Sequence, residues 1–174
     1  MSETLYRLVR DVPDFPKPGI LFRDITPILL DPAALKEAVE ALAAPLRALN
    51  VNRIAAIESR GFIFGAPVAM ALGAGLAIIR KPGKLPADSH RVDYDLEYGS
   101  DALEVHVDAL GPGDRAAVVD DVLATGGTAR AAGELVARSG ATVVAYGFLI
   151  ELVDLAGRAR LDAPVQSVLR YPHT

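Results

Sequence analysis

Two adjacent acids, Asp120 and Asp121, close an apolar run that begins at Ala116, and the small residues Ala124, Thr125, Gly126, Gly127 and Thr128 follow three positions later. The run over 116–119 suits a strand buried on both faces, as in a parallel sheet covered by helices. Ligands of open α/β sheets sit at the carboxyl ends of such strands. The small residues leave their backbone N–H groups free to turn toward phosphate oxygens, with glycines at 126 and 127 to allow the turn. Thr128 is expected to cap a helix with Ala131, Ala132, Leu135 and Val136 on its apolar face and Gly140 as its stop, which sets the positive end of the helix against the anion. Two acids beside a phosphate repel it unless something else absorbs their charge. Ribose hydroxyls do so as hydrogen-bond donors, and Mg2+ does so by sharing carboxylate and phosphate oxygens. Two acids followed by a glycine-rich turn therefore suit a ribose 5-phosphate.

The elements that position this string alternate in type. Asp31 is a natural helix cap and Pro32 a natural first-turn residue, and Leu35, Val39, Leu42, Leu46 and Leu49 fall on one helical face. A strand is expected over 53–57, a helix over 62–72 and a strand over 75–80. Strand alternation over 103–107 follows, then the turn Gly111-Pro112-Gly113-Asp114, the acid-bearing strand with its helix, and a strand over 142–150. Helices between strands imply an α/β fold, a parallel-core twisted sheet flanked by helices and joined by right-handed crossovers. With 174 residues, 51% of them hydrophobic, the chain suits one domain with a sizeable core. Residues 81–102 interrupt the pattern with a polar stretch that includes Lys84, Asp88, Ser89, His90, Arg91, Glu97 and Tyr98. That stretch reads as a lid-like loop that keeps water from a hydrolysable substrate.

Composition removes several classes. There is no Cys, and the three His, at 90, 106 and 173, lack metal-ligand spacing, so neither zinc nor redox chemistry is indicated. No apolar run is long enough to cross a bilayer and the first residues lack the pattern of a signal peptide, so a cytoplasmic location without a membrane partner is expected. A net charge of −4, from 18 basic and 22 acidic residues, argues against nucleic-acid binding. It also means that an anionic ligand needs a local supply of positive charge, for which Arg60, Arg80, Lys81 and Lys84 are the candidates. Gly73-Ala74-Gly75 precedes a strand and lacks a third glycine, so it is no dinucleotide fingerprint; neither a Walker lysine motif nor a hydrolase serine elbow occurs.

The eleven-residue string from Val118 to Thr128 resembles the phosphoribosyl pyrophosphate (PRPP) signature of the type I phosphoribosyltransferases. Further segments resemble the adenine phosphoribosyltransferases among them, in order over nearly the whole chain: one over 14–27 that contains Phe15-Pro16-Lys17-Pro18-Gly19-Ile20, then Glu58-Ser59-Arg60-Gly61, Arg80-Lys81-Pro82-Gly83-Lys84 and Leu96-Glu97-Tyr98-Gly99. The resemblance implies the type I phosphoribosyltransferase fold as a single domain over 1–174, with an N-terminal hood over about 1–34 and a long flexible catalytic loop over about 81–102. It implies transfer of the phosphoribosyl group from PRPP to adenine, giving AMP and pyrophosphate, with Mg2+ carried by PRPP near Asp120 and Asp121.

Carried onto this chain, the family's roles give Ala124, Thr125, Gly126, Gly127 and Thr128 to the 5′-phosphate and Asp120 and Asp121 to the ribose. Ser59, Arg60, Arg80 and Lys84 fall to the pyrophosphate, and Ile20, Phe22, Arg60 and Leu123 to adenine. Glu97 handles the purine's ring proton, and Tyr98 belongs to the mobile loop. A non-proline cis peptide between Ser59 and Arg60 and a homodimer, with a basic residue near Arg80 reaching the partner's site, are also implied. Departures from the family pattern are small: Ser89 stands where Thr is expected and Val122 where Leu is frequent. Another purine as acceptor, or a PRPP-sensing regulator on the same fold, are the competing readings. The regulator requires a DNA-binding module for which the chain has no spare length.

Overall fold

The computed structural model describes residues 3–95 and 99–173. The N-terminal block forms helix α1 (Glu3–Leu8), strands β1 (Arg10–Pro13) and β2 (Leu21–Asp24), and the short helix α2 (Thr26–Leu30). Then come α3 (Pro32–Ala43), β3 (Arg53–Ile57), α4 (Gly61–Leu72), β4 (Gly75–Ile79), β5 (Ser89–Asp95) and β6 (Ser100–His106). The chain continues through β7 (Arg115–Leu123), α5 (Gly127–Arg138), β8 (Thr142–Leu152) and β9 (Val165–Tyr171). The expected cap of α3 is present: Asp31 Oδ1 accepts from the N–H groups of Ala33 at 2.9 Å and Ala34 at 3.1 Å.

The core is a five-stranded sheet in the order β4-β3-β7-β8-β9, parallel throughout. Apolar residues on both faces of its central strands divide the core in two. Ala116 and Val118 of β7 pack with Leu135 and Val136 of α5 and with Val92, Leu103 and Val105 of the β5–β6 hairpin. Ala117 and Val119 pack with Leu42 of α3 and Phe64 and Val68 of α4. The apolar run before the acids is therefore continuous because both faces of its strand are covered. The strand does not end at the acids but runs through them to Leu123.

Residues 81–102 are not one loop. Strand β5 pairs antiparallel with β6, with His90 opposite Val105, Val92 opposite Leu103 and Tyr94 opposite Asp101. The strand escapes sequence reading because its outward positions are charged. Arg91 and Asp93 are exposed, and among its described side chains only Val92 is a fully buried apolar one. The expected strand over 75–80 ends at Ile79, and Arg80 exchanges two backbone hydrogen bonds with Glu104 of β6, at 2.9 and 2.7 Å. The hairpin is thereby tied to the edge of the sheet.

Candidate active site

Strands β3 and β7 are neighbours in the centre of the sheet, and the helices that follow them, α4 and α5, lie on opposite faces. A crevice at the carboxyl ends of such a strand pair is where doubly wound sheets hold ligands. Gly61, the first residue of α4, lets the helix start approach the acids closely. A Cβ there would lie 2.9 Å from both Asp120 Oδ1 and Val119 O. Asp120 Oδ1 itself accepts from the N–H of Asp121 at 2.8 Å. Asp121 is 4% exposed. Arg60 Nε stands 2.7 Å from its Oδ2, but the N–H is not aimed at that oxygen, which is left buried without a hydrogen-bond donor. Burial raises both carboxyls above their ordinary range. The charge of Asp121 pushes Asp120 further up, while Arg60 opposes the rise at Asp121. Buried acids short of a donor suit hydroxyl hydrogens, or a cation that brings most of its ligands with it. Among the described residues no three acidic or histidine side chains converge as a dedicated metal site would need.

Beyond the acids the chain turns through the small-residue loop around a cavity of about 90 Å³, bordered by Asp120, the loop and Thr128. The cap of α5 is Gly126, at φ +82°, with no side-chain cap bond. Thr128, expected as the cap, lies instead inside the first turn, 3.4 Å by its hydroxyl from the Tyr94 hydroxyl. Its place in that turn leaves the hydroxyl at the cavity, with the first N–H groups of the helix beside it.

On the other side of the acids the Arg60 guanidinium lies over the Phe22 ring, 5.3 Å from its centre, and Phe15 meets that ring edge-on at 5.2 Å. Phe22 of β2 and the acid Asp121 thus share one arginine. The cis peptide precedes Ser59, between Glu58 and Ser59, one bond earlier than expected. Ile20 has its N–H bonded to Lys17 O and its C=O to the N–H of Phe15, both at 3.2 Å, so one carbonyl lone pair is left for a ligand. Leu123 is 1% exposed; it packs in the core beside α5 and borders the cavity.

The basic residues are brought to the same end of the sheet, but most already have acid partners. Glu58 Oε2 accepts from the Arg80 Nε at 3.2 Å and from the Lys81 N–H at 2.6 Å. The Lys81 ammonium is bonded to Asp101 and, at 3.3 Å, to the Tyr94 hydroxyl. Lys84 is exposed, and its carbonyl accepts from Arg80 at 3.3 Å. Ser59 is exposed beside Arg60. Glu97 and Tyr98 lie outside the described residues. Sequence reading missed Glu58 as the anchor of the two basic residues, and missed Tyr94, which belongs to no recognised motif. It also missed Gly157, whose carbonyl lies under Gly126 from far downstream in the chain.

A parallel sheet with two acids, a small-residue loop and a helix start at its switch point defines the phosphoribosyltransferase class, and the sequence model described as phosphoribosyl transferase domain matches residues 28–171. The chain is 56% identical to the adenine phosphoribosyltransferase of Anaeromyxobacter dehalogenans strain 2CP-C, over 98% of this chain and all of that protein. It is 57% identical to that of Methylococcus capsulatus, over 94% and 96%. The solved adenine phosphoribosyltransferase of Thermoanaerobacter pseudethanolicus superposes with a TM-score of 0.94 at 48% identity, covering 97% and 99% of the two chains. That of Saccharomyces cerevisiae, complexed with an imino-altritol bisphosphate and adenine, does so with a TM-score of 0.92 at 40% identity, covering 96% and 97%. The chain belongs to the adenine phosphoribosyltransferase family.

Proposed function

We propose that the protein transfers the 5-phosphoribosyl group of PRPP to N9 of adenine, forming AMP and releasing pyrophosphate. It does so as one domain with a hood over about 1–34 and a catalytic segment over about 81–102 that includes β5. The observation that carries this reading is the buried carboxylate pair, one oxygen without a donor, set against a cavity edged by small residues and a helix start. Acceptors at one end and N–H donors at the other match a molecule with hydroxyls at one end and a phosphate at the other. The yeast relative's complex with adenine and a sugar-like bisphosphate supports the same pair of substrates.

In this mechanism Ala124, Thr125, Gly126, Gly127 and Thr128 hold the 5′-phosphate, and that remote anchor orients the anomeric carbon. Asp120 and Asp121 accept from the ribose hydroxyls. Such donors favour the ionised form that burial alone disfavours, and the ionised pair lowers the cost of positive charge on the sugar ring. Ser59, Arg60, Arg80 and Lys84 receive the pyrophosphate as its bond to the anomeric carbon breaks and the bond from N9 forms. Arg60, Phe22 and the Ile20 backbone hold adenine, and Glu97, from the segment that also carries Tyr98, takes the ring proton. Asp120 and Asp121 would stand beside the Mg2+ that PRPP brings, and that ion would supply charge neutralisation to the leaving diphosphate.

The assembly we infer is a homodimer. Ile63 and Met70, seven positions apart on α4, and Leu76 and Ile78 of the edge strand β4 are exposed, and a second copy would cover this apolar surface. A cytoplasmic location follows from the substrate, since a polyanion such as PRPP does not cross a bilayer unaided. No described helix is long and apolar enough to span a membrane.

The deciding experiment measures pyrophosphate release from PRPP and Mg2+ with adenine, hypoxanthine, guanine or xanthine supplied separately, against a control without base. Release with adenine alone, yielding AMP, is expected. Release with another base alone would overturn the specificity but not the chemistry, and PRPP binding without release under any condition would overturn the transferase reading.

A further inference from the structure

The phosphate loop rests on a floor of backbone. A Cβ built at Gly126 would lie 2.5 Å from the carbonyl oxygen of Gly157. One built at Gly157 would lie 2.1 Å from the carbonyl oxygen of Ala124 and 2.9 Å from the amide nitrogen of Gly126. Main chain meets main chain here, with no side chain between them to absorb a shift. Arg160 adds a long hydrogen bond to Thr125 O at 3.4 Å. The floor segment consists of two short 3-10 turns, Val153–Leu155 and Gly157–Arg160, joined through Ala156 at φ +51°. Such turns have little stability of their own.

What fixes the height of this floor is Arg158. Its Nε and Nη2 grip Glu151 Oε1 and Oε2 at 3.0 and 2.6 Å, and its Nη1 donates to Val165 O at 2.6 Å. Glu151 is 4% exposed and stands in β8 opposite Leu123 of β7, the residue from which the loop departs. Arg170 of β9 approaches the same carboxylate at 3.4 Å. One bidentate pair therefore joins the strand ends that launch the loop to the turn that supports it. With the arginine side chain 41% exposed, solvent screens the attraction and the pair adds little net stability. Its geometric consequence is to hold Gly157 against Gly126.

We propose that Glu151 and Arg158 are positioning residues for the 5′-phosphate loop: their pair sets the floor that holds the loop's N–H groups in phosphate-binding register. The proposal rests on the assignment of Ala124, Thr125, Gly126, Gly127 and Thr128 to the phosphate. Backbone N–H donors recognise a phosphate over a narrow range of distance, so a loop that sinks by a fraction of an ångström loses the phosphate-bearing ligands and spares the free base.

The test compares the unmodified protein with Glu151→Gln, Arg158→Ala and Arg158→Lys. It uses steady-state kinetics for each substrate, calorimetric binding of AMP, and thermal unfolding. Loss of the fork in Glu151→Gln and Arg158→Ala is expected to raise the KM for PRPP and the Kd for AMP about tenfold or more, with kcat at saturating PRPP within about threefold and the KM for adenine within about twofold. Arg158→Lys, which keeps the charge but not the fork, should fall between. Should the first two variants fail to fold, Arg158→Lys decides alone. A lowered Tm with unchanged PRPP and AMP constants would make the pair merely structural and overturn the proposal, as would a uniform loss of kcat with every KM unchanged. An unmodified protein that binds neither AMP nor PRPP would overturn the phosphate assignment itself, a result distinct from ordinary AMP binding by all four proteins, which would overturn the floor alone.

Discussion

Replacing Asp121 with Asn separates the chemical from the structural value of the acid pair. In the resting protein this carboxylate acts on stability in two opposed directions. Its ion pair with Arg60 is close, at 2.7 Å, but the arginine side chain is 44% exposed, which discounts the attraction to about 1 kcal/mol or less. Against it stands the desolvation of a group only 4% exposed, which raises the carboxyl above its ordinary value of 3.8. The two contributions nearly cancel, so Asp121→Asn should change folding stability by no more than about 1 kcal/mol. Turnover is different, because an acid aimed at developing positive charge acts most strongly in the transition state. Its loss should lower kcat by about 10²- to 10³-fold, a barrier increase of about 3–4 kcal/mol.

The pH dependence carries a sign that the same variant tests. A raised acid keeps in the native state a proton that the unfolded chain has released. The pair's contribution is therefore greatest at low pH and is lost as pH rises from about 4 through the raised value. With Asn at 121 one acid and its repulsion of the other are gone, and stability should fall less over that window. AMP formation at saturating substrates gives kcat, and far-UV circular dichroism melts at about pH 5 and about pH 8 give the stabilities. An undiminished rate would remove the acids from the mechanism. A stability loss of several kcal/mol would make Asp121 the structural anchor of Arg60 instead.

Other substitutions read other parts of the site. Phe22→Ala removes the ring under the Arg60 guanidinium and should raise the KM for adenine by about 10-fold or more, as expected for the loss of one base-stacking contact, while leaving the KM for PRPP within about twofold. Gly61→Ala forces a methyl to within 2.9 Å of Asp120 Oδ1 and Val119 O; it should cost about 1–3 kcal/mol of stability by denaturant titration and about 10²-fold in turnover through displaced acids. Gly133→Ala serves as a control away from the site: its Cβ would meet the Tyr146 hydroxyl at 2.1 Å, where that hydroxyl donates to Asp162 at 2.9 Å. A Tm lowered by several degrees with unchanged KM values is expected, the overpacking costing about 1–3 kcal/mol.

How far the sequence revealed this molecule depended on whether the signal was local. The strand Arg53–Ile57 coincides with its expectation, and the helix after it starts one residue early, because an apolar run bounded by polar and glycine residues carries its own limits. Asp31 as the cap of α3 was legible for the same reason. Strand β5 was not, since its face to the solvent is charged and only pairing with β6 reveals it. Helix α1, with only six residues, and strand β9, with Val165 and Leu169 as its buried anchors, likewise gain their identity from what they pack against. In the site, Asp120, Asp121, Arg60 and the small-residue loop were found because each lies in a contiguous string. Gly157 beneath the loop and Glu58 between Arg80 and Lys81 were not assigned, because their roles are defined in space by partners far along the chain.

The same contacts settle a problem of charge that composition poses. A chain with net charge −4 needs local cations for a polyanionic substrate, and four are present at the strand ends: Arg60, Arg80, Lys81 and Lys84. Three of these are already paired, with Asp121, Glu58 and Asp101 respectively. Most of the cations at the strand ends are therefore held by carboxylates in the resting site. In the proposed mechanism PRPP then binds by exchange, phosphate oxygens replacing carboxylates on the cations while ribose hydroxyls satisfy the carboxylates released. Arg60 stands where these exchanges meet, because its partner Asp121 and its neighbour Phe22 belong to the proposed ribose and adenine positions. Transfer of Arg60 to the pyrophosphate would free both at once, the carboxylate for the sugar and the ring face for the base.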